Sequence, residues 1–401
     1  MRPITSTLTF HDALRLILDA ARPTTRTESV GLLSADGRVV ARNVVAEADV
    51  PAFDRAAMDG YAVVAADTAG ATAAAPRTLA CVDQVFSGHV PSRGIGPGEC
   101  SEIATGAPMP DGADAVVMVE DTSRDGARVS VRAPVVARQN VGRRAADLAA
   151  GATVVSSGQI INPSRIGALA ATGVTHVDVF AQPTVALLST GDEIVPPGAR
   201  LAPGQIHDIN RYTLASVIAR HGGRAVMLPS VPDMIDALVE ALDAAGTHDI
   251  VVFSGGSSVG ERDLVLDVLS SRGQVVFRGI AVKPGKPTIF GWLGSTAVFG
   301  LPGYPASCLS NAYMLLVPFL RKTARLPEWE PRSLELPLAR RIVSPAGRHQ
   351  FYTVRVVDGA AEPAFKASGD ITSMANADGY IEIGADTEAV EAGTVVRVRL
   401  F

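Results

Sequence analysis

The chain has 401 residues, of which 47% are hydrophobic, and its 36 lysines and arginines against 41 aspartates and glutamates give a formal net charge of −5. This length predicts two to four domains with ample apolar residues for their cores. The acidic balance and the lack of a basic tract argue against a nucleic-acid surface, because affinity for phosphate backbones comes from clustered Lys and Arg.

Neither a membrane segment nor a metal-binding cysteine framework is predicted. No apolar run reaches the roughly 18 residues that a membrane span needs, and the first twenty residues show an amphipathic helix pattern instead of a signal peptide. Cys81, Cys100 and Cys308 form no CxxC pair, and the seven histidines show no HxxxH spacing. We therefore expect a cytoplasmic protein without a structural zinc site or disulfides.

The first half of the chain predicts an α/β region with an inserted β domain. Residues 9–21 have a helical apolar face with Thr9 as N-cap. Residues 30–51 have an extended pattern, and a second helical pattern covers about 162–171. We expect residues 1–50 and 139–182 to form an elongated N-terminal domain. Residues 51–138, rich in Ala, Gly, Val and Pro with short apolar runs, are then an inserted small β domain.

The second half changes to regular alternation of strand and helix patterns, which is typical of a doubly wound α/β sheet. We assign residues 183–326 to this α/β domain. Its strands are expected at 184–189, 224–228, 249–253 and 296–300. Residues 274–293 look like additional extended structure. Residues 327–401 alternate with period two, which predicts a C-terminal β domain of barrel-like type.

Three loops follow strands of the predicted α/β sheet and could bind an anion. They are 187–193, 254–263 and 301–303, and the second begins with Ser254, Gly255 and Gly256. Ligands of such sheets bind beyond the carboxyl ends of the strands, where helix N-termini present unpaired N–H groups. None of the loops contains a Walker or dinucleotide fingerprint. Singly each loop is explained by ordinary turn chemistry, but three together favour a binding site.

Acidic and basic side chains accompany these loops. The acidic side chains are Glu193, Asp208, Asp233 and Asp263, joined by Asp59 earlier in the chain. Such carboxylates would suit Mg²⁺ beside a phosphate, although any one of them could instead cap a helix or face solvent. Lys283 and Lys286 flank a Pro-Gly turn and could neutralise an oxyanion, although most loop lysines are simply solvated.

Seven ordered segments resemble the molybdopterin molybdotransferase family, which includes bacterial MoeA and the E domain of gephyrin. They are PAFDRAAMDGYAV at 51–63, ATGAPMP at 104–110, STGDE at 189–193, GQIHDINRY at 204–212, SGGSSVGERD at 254–263, KPGKP at 283–287 and LPGYP at 301–305. The resemblance runs over essentially the whole chain. One departure is Tyr304, which stands where asparagine is usual.

The resemblance implies a four-domain subunit and a reaction in which adenylylated molybdopterin and molybdate give molybdenum cofactor and AMP. It implies a homodimer, with the active site between the α/β domain of one subunit and the loop-rich domains of the other. Contact with a molybdopterin adenylyltransferase or with apo-molybdoenzymes would fit this role. Mg²⁺ is the expected metal.

The resemblance also assigns residues. Those with a catalytic role are Asp59, Thr105, Glu193, Asp233 and Asp263, of which the last three would hold the metal. Those expected to bind the substrates are Asp147, Ser254, Gly255, Gly256, Lys283, Lys286, Pro302, Pro305 and Ser373.

Two other functions stay open. The α/β domain alone would fit the molybdopterin adenylyltransferases, but those proteins lack the segment around Asp59. A non-catalytic or scaffold paralogue, which binds molybdopterin or a protein partner without turnover, is the second alternative.

Overall fold

The computed structural model describes residues 6–232, 234–255 and 264–401. The chain divides into two compact units, of which the smaller is Ser29–Val179 and the larger combines Met1–Glu28 with Phe180–Phe401. We describe each unit by itself. The domain boundaries predicted from the sequence stay predictions.

The two helices whose bounds the sequence predicts, at 9–21 and about 162–171, are found at Phe10–Ala20 and Pro163–Ala171. The α-helical segments of the described residues are α1 Phe10–Ala20, α2 Pro163–Ala171, α3 Asn210–Arg220, α4 Ile235–Ala245, α5 Leu264–Arg272, α6 Pro305–Asn311, α7 Val317–Thr323 and α8 Thr372–Ala375. Thr9 caps α1 by accepting a hydrogen bond from the Asp12 N–H at 3.1 Å, as predicted. None of the described helices is both long and apolar enough to cross a bilayer.

The strands are short and numerous. They are β1 Thr27–Gly31, β2 Val44–Val45, β3 Arg55–Ala56, β4 Gly60–Val63, β5 Arg77–Val85, β6 Glu99–Ile103, β7 Ala115–Met118, β8 Thr122–Asp125, β9 Arg128–Val131, β10 Val141–Gly142, β11 Thr153–Val155, β12 His176–Phe180, β13 Thr184–Ser189, β14 Ile194–Val195, β15 Ile206–His207, β16 Arg224–Met227, β17 Ile250–Ser254, β18 Gln274–Arg278, β19 Val282–Lys283, β20 Ile289–Leu293, β21 Thr296–Leu301, β22 Ser333–Pro337, β23 Ile342–Val343, β24 His349–Val357, β25 Ala360–Pro363, β26 Gly379–Ile383, β27 Ala389–Val390 and β28 Val395–Leu400.

The smaller unit is built around a six-stranded sheet in the order β7-β4-β6-β5-β9-β8. Its core is made of short side chains, such as Val63, Val117 and Val129, which explains why the sequence there is rich in Ala and Val. No α-helix is described between residues 52 and 138. The extended character predicted for that segment is confirmed.

The larger unit contains a central sheet in the order β16-β13-β17-β21-β20-β18. The first four strands are parallel neighbours, and β20 and β18 extend the sheet antiparallel. Alternate residues of β13 enter different cores, since Leu187 belongs to one cluster and Leu188 to another. Burial on both faces explains the unbroken apolar runs of these strands, and the α/β character predicted from them is confirmed.

The final segment forms a second six-stranded sheet, in which β19-β24-β26-β28-β22 are neighbours and β25 pairs with β24. The antiparallel register of β22 and β28 places Leu334 opposite Val398 and Leu336 opposite Val396. This is the period-two pattern seen in the sequence. The short strand β19 leaves the extended region 274–293 and joins this sheet by pairing with β24, which the sequence did not indicate.

Candidate active site

Three strands of the central sheet end side by side. Ser189 of β13 lies opposite Ser254 of β17, and Ser254 lies opposite Leu301 of β21. The loops that follow therefore start at one edge of the sheet. We call residues 189–193, 254–255 and 301–303 the loop edge. It is the carboxyl edge at which open α/β sheets bind their ligands.

Main chains approach each other closely at the loop edge. Gly255 has φ +99°, and a Cβ placed on it would lie 2.7 Å from the carbonyl oxygen of Thr190. A Cβ on Gly303 would lie 3.3 Å from the Cα of Gly255. Only glycine fits at position 255, because both the conformation and the space exclude a side chain. The Gly255 N–H itself donates to the Leu301 carbonyl at 3.3 Å, so any anion here would be bound by other groups of the loops, beside a main chain that carries no side chain at positions 255 and 303.

A buried network of polar side chains connects the starts of two loops of the loop edge. The Ser189 hydroxyl donates to Asp208 Oδ2 at 2.8 Å and lies 3.3 Å from the Ser254 hydroxyl. Arg211 Nε donates to the same Asp208 oxygen at 2.5 Å, and the Arg211 N–H lies 3.2 Å from Asp208 Oδ1. Both carboxylate oxygens of Asp208 are thus occupied, which makes this residue a support for the loops.

Glu193 is an exposed carboxylate of the loop edge, next to the exposed Asp192. It folds back over Gly191, where an added Cβ would lie 2.6 Å from Glu193 Oε2. No described Lys or Arg pairs with it. An accessible, unpaired carboxylate suits the oxygen-ligand preference of Mg²⁺.

Part of the predicted site lies outside the described residues, namely Asp233, Gly256 and Asp263. Within the described residues, no three His, Cys, Asp or Glu side chains come together as a metal site. The predicted metal set of Glu193, Asp233 and Asp263 therefore stays a prediction.

The Lys283–Lys286 turn is held by a helix of the same unit. Asn311, the last residue of α6, donates to the Gly285 carbonyl at 2.8 Å and to the Thr288 hydroxyl at 2.5 Å. Both lysines are half-buried. The turn is thus fixed by side-chain hydrogen bonds, and its two lysines keep a defined separation.

The LPGYP segment connects three parts of the larger unit. Pro302 is buried, and Pro305 begins α6. Asn210, the first residue of α3, donates to the Gly303 carbonyl at 2.8 Å. The Ala306 N–H donates to the backbone carbonyl of Ser368, in the C-terminal segment, at 3.1 Å.

Ser373 lies in the same C-terminal segment. It is fully buried, and its hydroxyl accepts a hydrogen bond from the Lys366 N–H at 3.0 Å. In this arrangement it shapes the loop that reaches the LPGYP segment.

Sequence reasoning missed three polar side chains near these loops. Thr190 Oγ1, Asn210 Oδ1 and Asn311 Oδ1 are buried and have no hydrogen-bond partner among the described residues. Buried acceptors and hydroxyls without partners are rare, and they suggest a missing ligand group or water. The available signal was the position of two of them at helix ends, since Asn210 begins α3 and Asn311 ends α6.

In the smaller unit, Asp59 and Thr105 are brought together. Asp59 directly precedes β4, and Thr105 follows β6, its neighbour in the sheet. Asp59 Oδ1 accepts hydrogen bonds from the Thr105 N–H at 2.7 Å and from its hydroxyl at 2.9 Å. These bonds, the backbone one foremost, hold the pKa of Asp59 below its usual value. The pair is exposed, so a carboxylate anion faces solvent there.

Asp147 lies in an exposed loop of the smaller unit whose backbone is tied to the chain before Asp59. Its N–H donates to the Val50 carbonyl at 3.0 Å. The neighbouring Arg144 N–H donates to Asp54 Oδ1 at 2.7 Å, and the Arg144 guanidinium pairs with Asp49 at 2.5 Å. This anchors the loop but gives Asp147 no described side-chain partner.

Three family models match successive parts of the chain. Residues 8–173 match the MoeA N-terminal region (domain I and II), residues 186–322 match a probable molybdopterin binding domain, and residues 335–401 match the MoeA C-terminal region (domain IV).

Related proteins cover nearly the whole chain. A molybdopterin molybdenumtransferase 2 from Mycobacterium tuberculosis is 34% identical over 393 residues, which cover 95% of this chain and 96% of the relative. A molybdopterin molybdenumtransferase from Nostoc is 35% identical over 86% of this chain and 81% of the relative. A solved molybdopterin biosynthesis MoeA protein from Pyrococcus horikosii has a TM-score of 0.85 at 37% identity and covers 98% of this chain and 99% of its own. The chain belongs to the MoeA family of molybdopterin molybdenumtransferases.

Proposed function

We propose that this protein is a molybdenum insertase that converts adenylylated molybdopterin and molybdate to molybdenum cofactor and AMP. The observation that carries the proposal is the loop edge, where three loops begin in register and two main chains meet at Gly255 and Gly303. Molybdate and a pyrophosphate linkage are both anions, and loops with exposed main chain, together with the lysines of the 283–286 turn, suit both.

The described residues divide the work by their chemistry. Lys283 and Lys286 supply positive charge from a fixed turn and would hold the molybdate or phosphate oxygens. Asp59, kept anionic by Thr105, would accept a hydrogen bond from the substrate. Asp147, Pro302, Pro305 and Ser373 would shape the binding surface.

We propose that Mg²⁺ assists the reaction, with Glu193 as a ligand and with Asp233 and Asp263 as the others. When bound, the metal would supply positive charge against the phosphoanhydride. Replacing Asp263 by Asn should then abolish AMP release while the far-ultraviolet circular dichroism spectrum stays unchanged. Unaltered turnover would refute that role.

The direct test of the function is AMP release from adenylylated molybdopterin in the presence of Mg²⁺, with and without molybdate. The same samples are used to reconstitute an apo-molybdoenzyme. Molybdate-dependent release together with reconstitution would establish the insertase. Tight binding without release would favour the non-catalytic or scaffold paralogue.

The homodimer and the cytoplasmic location are part of the proposal. At micromolar concentration, sedimentation velocity should give twice the mass of one chain, and a monomer would contradict it. Docking to a molybdopterin adenylyltransferase or to apo-molybdoenzymes is also proposed, from the chemistry of substrate supply and product use.

A further inference from the structure

A cavity of the larger unit lies away from the loop edge. It has a volume of about 410 Å³ and is lined by Arg220, His221, Tyr313, Arg321, Trp329 and Arg332, among others. We call it the arginine cleft. Its size lies within the range of small-molecule sites, roughly 300–1,000 Å³.

The arginine cleft has an excess of positive charge. Arg220, Arg321 and Arg332 have no carboxylate partner among the described residues. Arg321 Nε donates to the Pro327 carbonyl at 2.8 Å, which leaves its two Nη groups for a ligand. Glu330 is the one acidic side chain of the lining. An anion in the cleft would relieve the repulsion among the guanidinium groups.

The other lining side chains are aromatic. Tyr313 and Trp329 are stacked, with ring centroids 5.3 Å apart and planes 26° from parallel. The His221 ring meets Trp329 edge-on at 5.0 Å, and Phe401 lies 5.4 Å from Tyr313. Such a group of rings offers an edge or face to a flat ligand.

Two local irregularities fall on this cleft. His221 is only 6% exposed, and its Nδ1 has no hydrogen-bond partner among the described residues. Tyr313 lies in a π-helical turn, Ala312–Leu316, which interrupts the helix between α6 and α7. Pro318 explains the turn, because proline lacks the N–H that would bond to residue 314 and its ring crowds that carbonyl. Turns of this kind are frequent at functional sites.

The arginine cleft is separate from the loop edge. Helix α3 begins at Asn210, which bonds to Gly303 of the loop edge, and ends at Arg220, which lines the cleft. At 1.5 Å per residue, these two positions are about 15 Å apart along the helix axis. The two sites are thus at opposite ends of one helix.

We propose that the arginine cleft binds a small aromatic phosphate, a flat ring carrying a phosphate group. The guanidinium groups bind the phosphate oxygens in the paired geometry that arginine favours, and Tyr313, Trp329 and Phe401 contact the ring. The inference does not depend on the insertase reaction, since no residue of the loop edge is involved.

The test uses the fluorescence of Trp329. The chain has two tryptophans, and the second, Trp292, packs against Phe290 and Phe319 instead. In a Trp292→Phe variant, phenyl phosphate should quench Trp329 saturably, whereas inorganic phosphate and phenol should bind at least about tenfold more weakly because each lacks one half of the ligand. A parallel titration with AMP distinguishes a nucleotide ligand, if AMP binds tighter, from a smaller aromatic phosphate.

Charge reversal tests the arginines. Arg332→Glu should weaken phenyl phosphate binding at least about tenfold, while Arg341→Glu, at an exposed pair with Glu391, should change it less than about twofold. Calorimetric titration of the otherwise unaltered chain repeats the measurement if Trp292→Phe lowers the melting temperature. Absence of saturable binding, or equal binding by the two variants, would overturn the proposal. Quenching by an oligoglutamate peptide but not by phenyl phosphate would overturn it too and would identify a protein-docking surface.

Discussion

Asp59 and Asp208 differ in exposure and in hydrogen bonding, and we infer different roles for them: Asp59 acts in the reaction, and Asp208 supports the structure. Asp59 is exposed and uses one oxygen for both hydrogen bonds from Thr105, so Oδ2 stays accessible. Asp208 is 4% exposed and gives both oxygens to Ser189 and Arg211. A carboxylate with a free oxygen can act on a substrate, whereas a saturated buried one holds loops in place. The contrast predicts that a substitution at Asp59 lowers activity, whereas disruption of the Asp208 network lowers stability.

The largest expected effect is the loss of activity in Asp59→Asn. The amide keeps an oxygen for Thr105 but removes the charge, so AMP release should fall by at least about a hundredfold with the melting temperature unchanged. Asp67→Asn is the matched control, because Asp67 also accepts a backbone N–H, that of Gly98, at 2.7 Å. Equal activity of the two variants would remove the distinction drawn for Asp59.

Arg211→Ala should instead lower stability. It leaves Asp208 charged and buried, which costs about 3–5 kcal/mol of unfolding free energy. Urea unfolding followed by tryptophan fluorescence measures this, since both tryptophans belong to the larger unit. Arg397→Ala, which breaks an exposed pair with Glu335 at 2.7 Å, should cost less than about 1 kcal/mol. If the two variants lose equal stability, the buried network is not a support.

A smaller effect is expected at Gly255→Ala. The positive φ and the Thr190 carbonyl together should cost about 1–3 kcal/mol and reduce AMP release, because the loop edge must shift. Gly37→Ala isolates the conformational part, since Gly37 has φ +73° and nothing within 4 Å of an added Cβ. If Gly255→Ala is no less stable than Gly37→Ala, the chain has moved enough to relieve the contact between the added Cβ and the Thr190 carbonyl.

The last effect concerns pH and His221. Burial, with Arg321 and Arg220 nearby, lowers the pKa of His221 to about 4, while the unfolded chain binds this proton near pH 6.5. Between these values the unfolded state holds more protons, so the unfolding free energy should decrease as the pH falls from 6.5 towards 4. His221→Gln should show a shallower decrease than the parent protein, and His176→Gln, at an exposed position, should not. Parallel pH profiles of the parent and His221→Gln would contradict the assignment.

The sequence predicted the loop edge well because its signals are local. Strand ends, Gly-containing turns and helix caps each depend on a few consecutive residues, and parallel strands place them at one edge. Thus β13, β17 and β21 lie within a residue or so of the predicted segments. The resemblance supplied Asp59 and Thr105 as site residues, although no pattern in the chain predicts a hydrogen bond across 46 positions.

The arginine cleft shows what local patterns cannot predict. Arg220, Tyr313 and Arg332 come from α3, the π-helical turn and the segment before β22, and each looks like an ordinary helix-end or loop residue in its own segment. Likewise, β19 joins the C-terminal sheet by pairing two residues with β24. A strand of two residues is too short for its partner to be predicted from periodicity.

The close contact of the main chain at Gly255 and Gly303 also limits how this site can evolve. Substitution there can abolish the site but cannot retune it, because no side chain takes part in the contact. Any adaptation to a different oxyanion or a larger substrate must therefore come from the rim. Tyr304 is such a position: it directly follows the contact, is 67% exposed, and lies 3.9 Å from where a Cβ on Gly369 would stand.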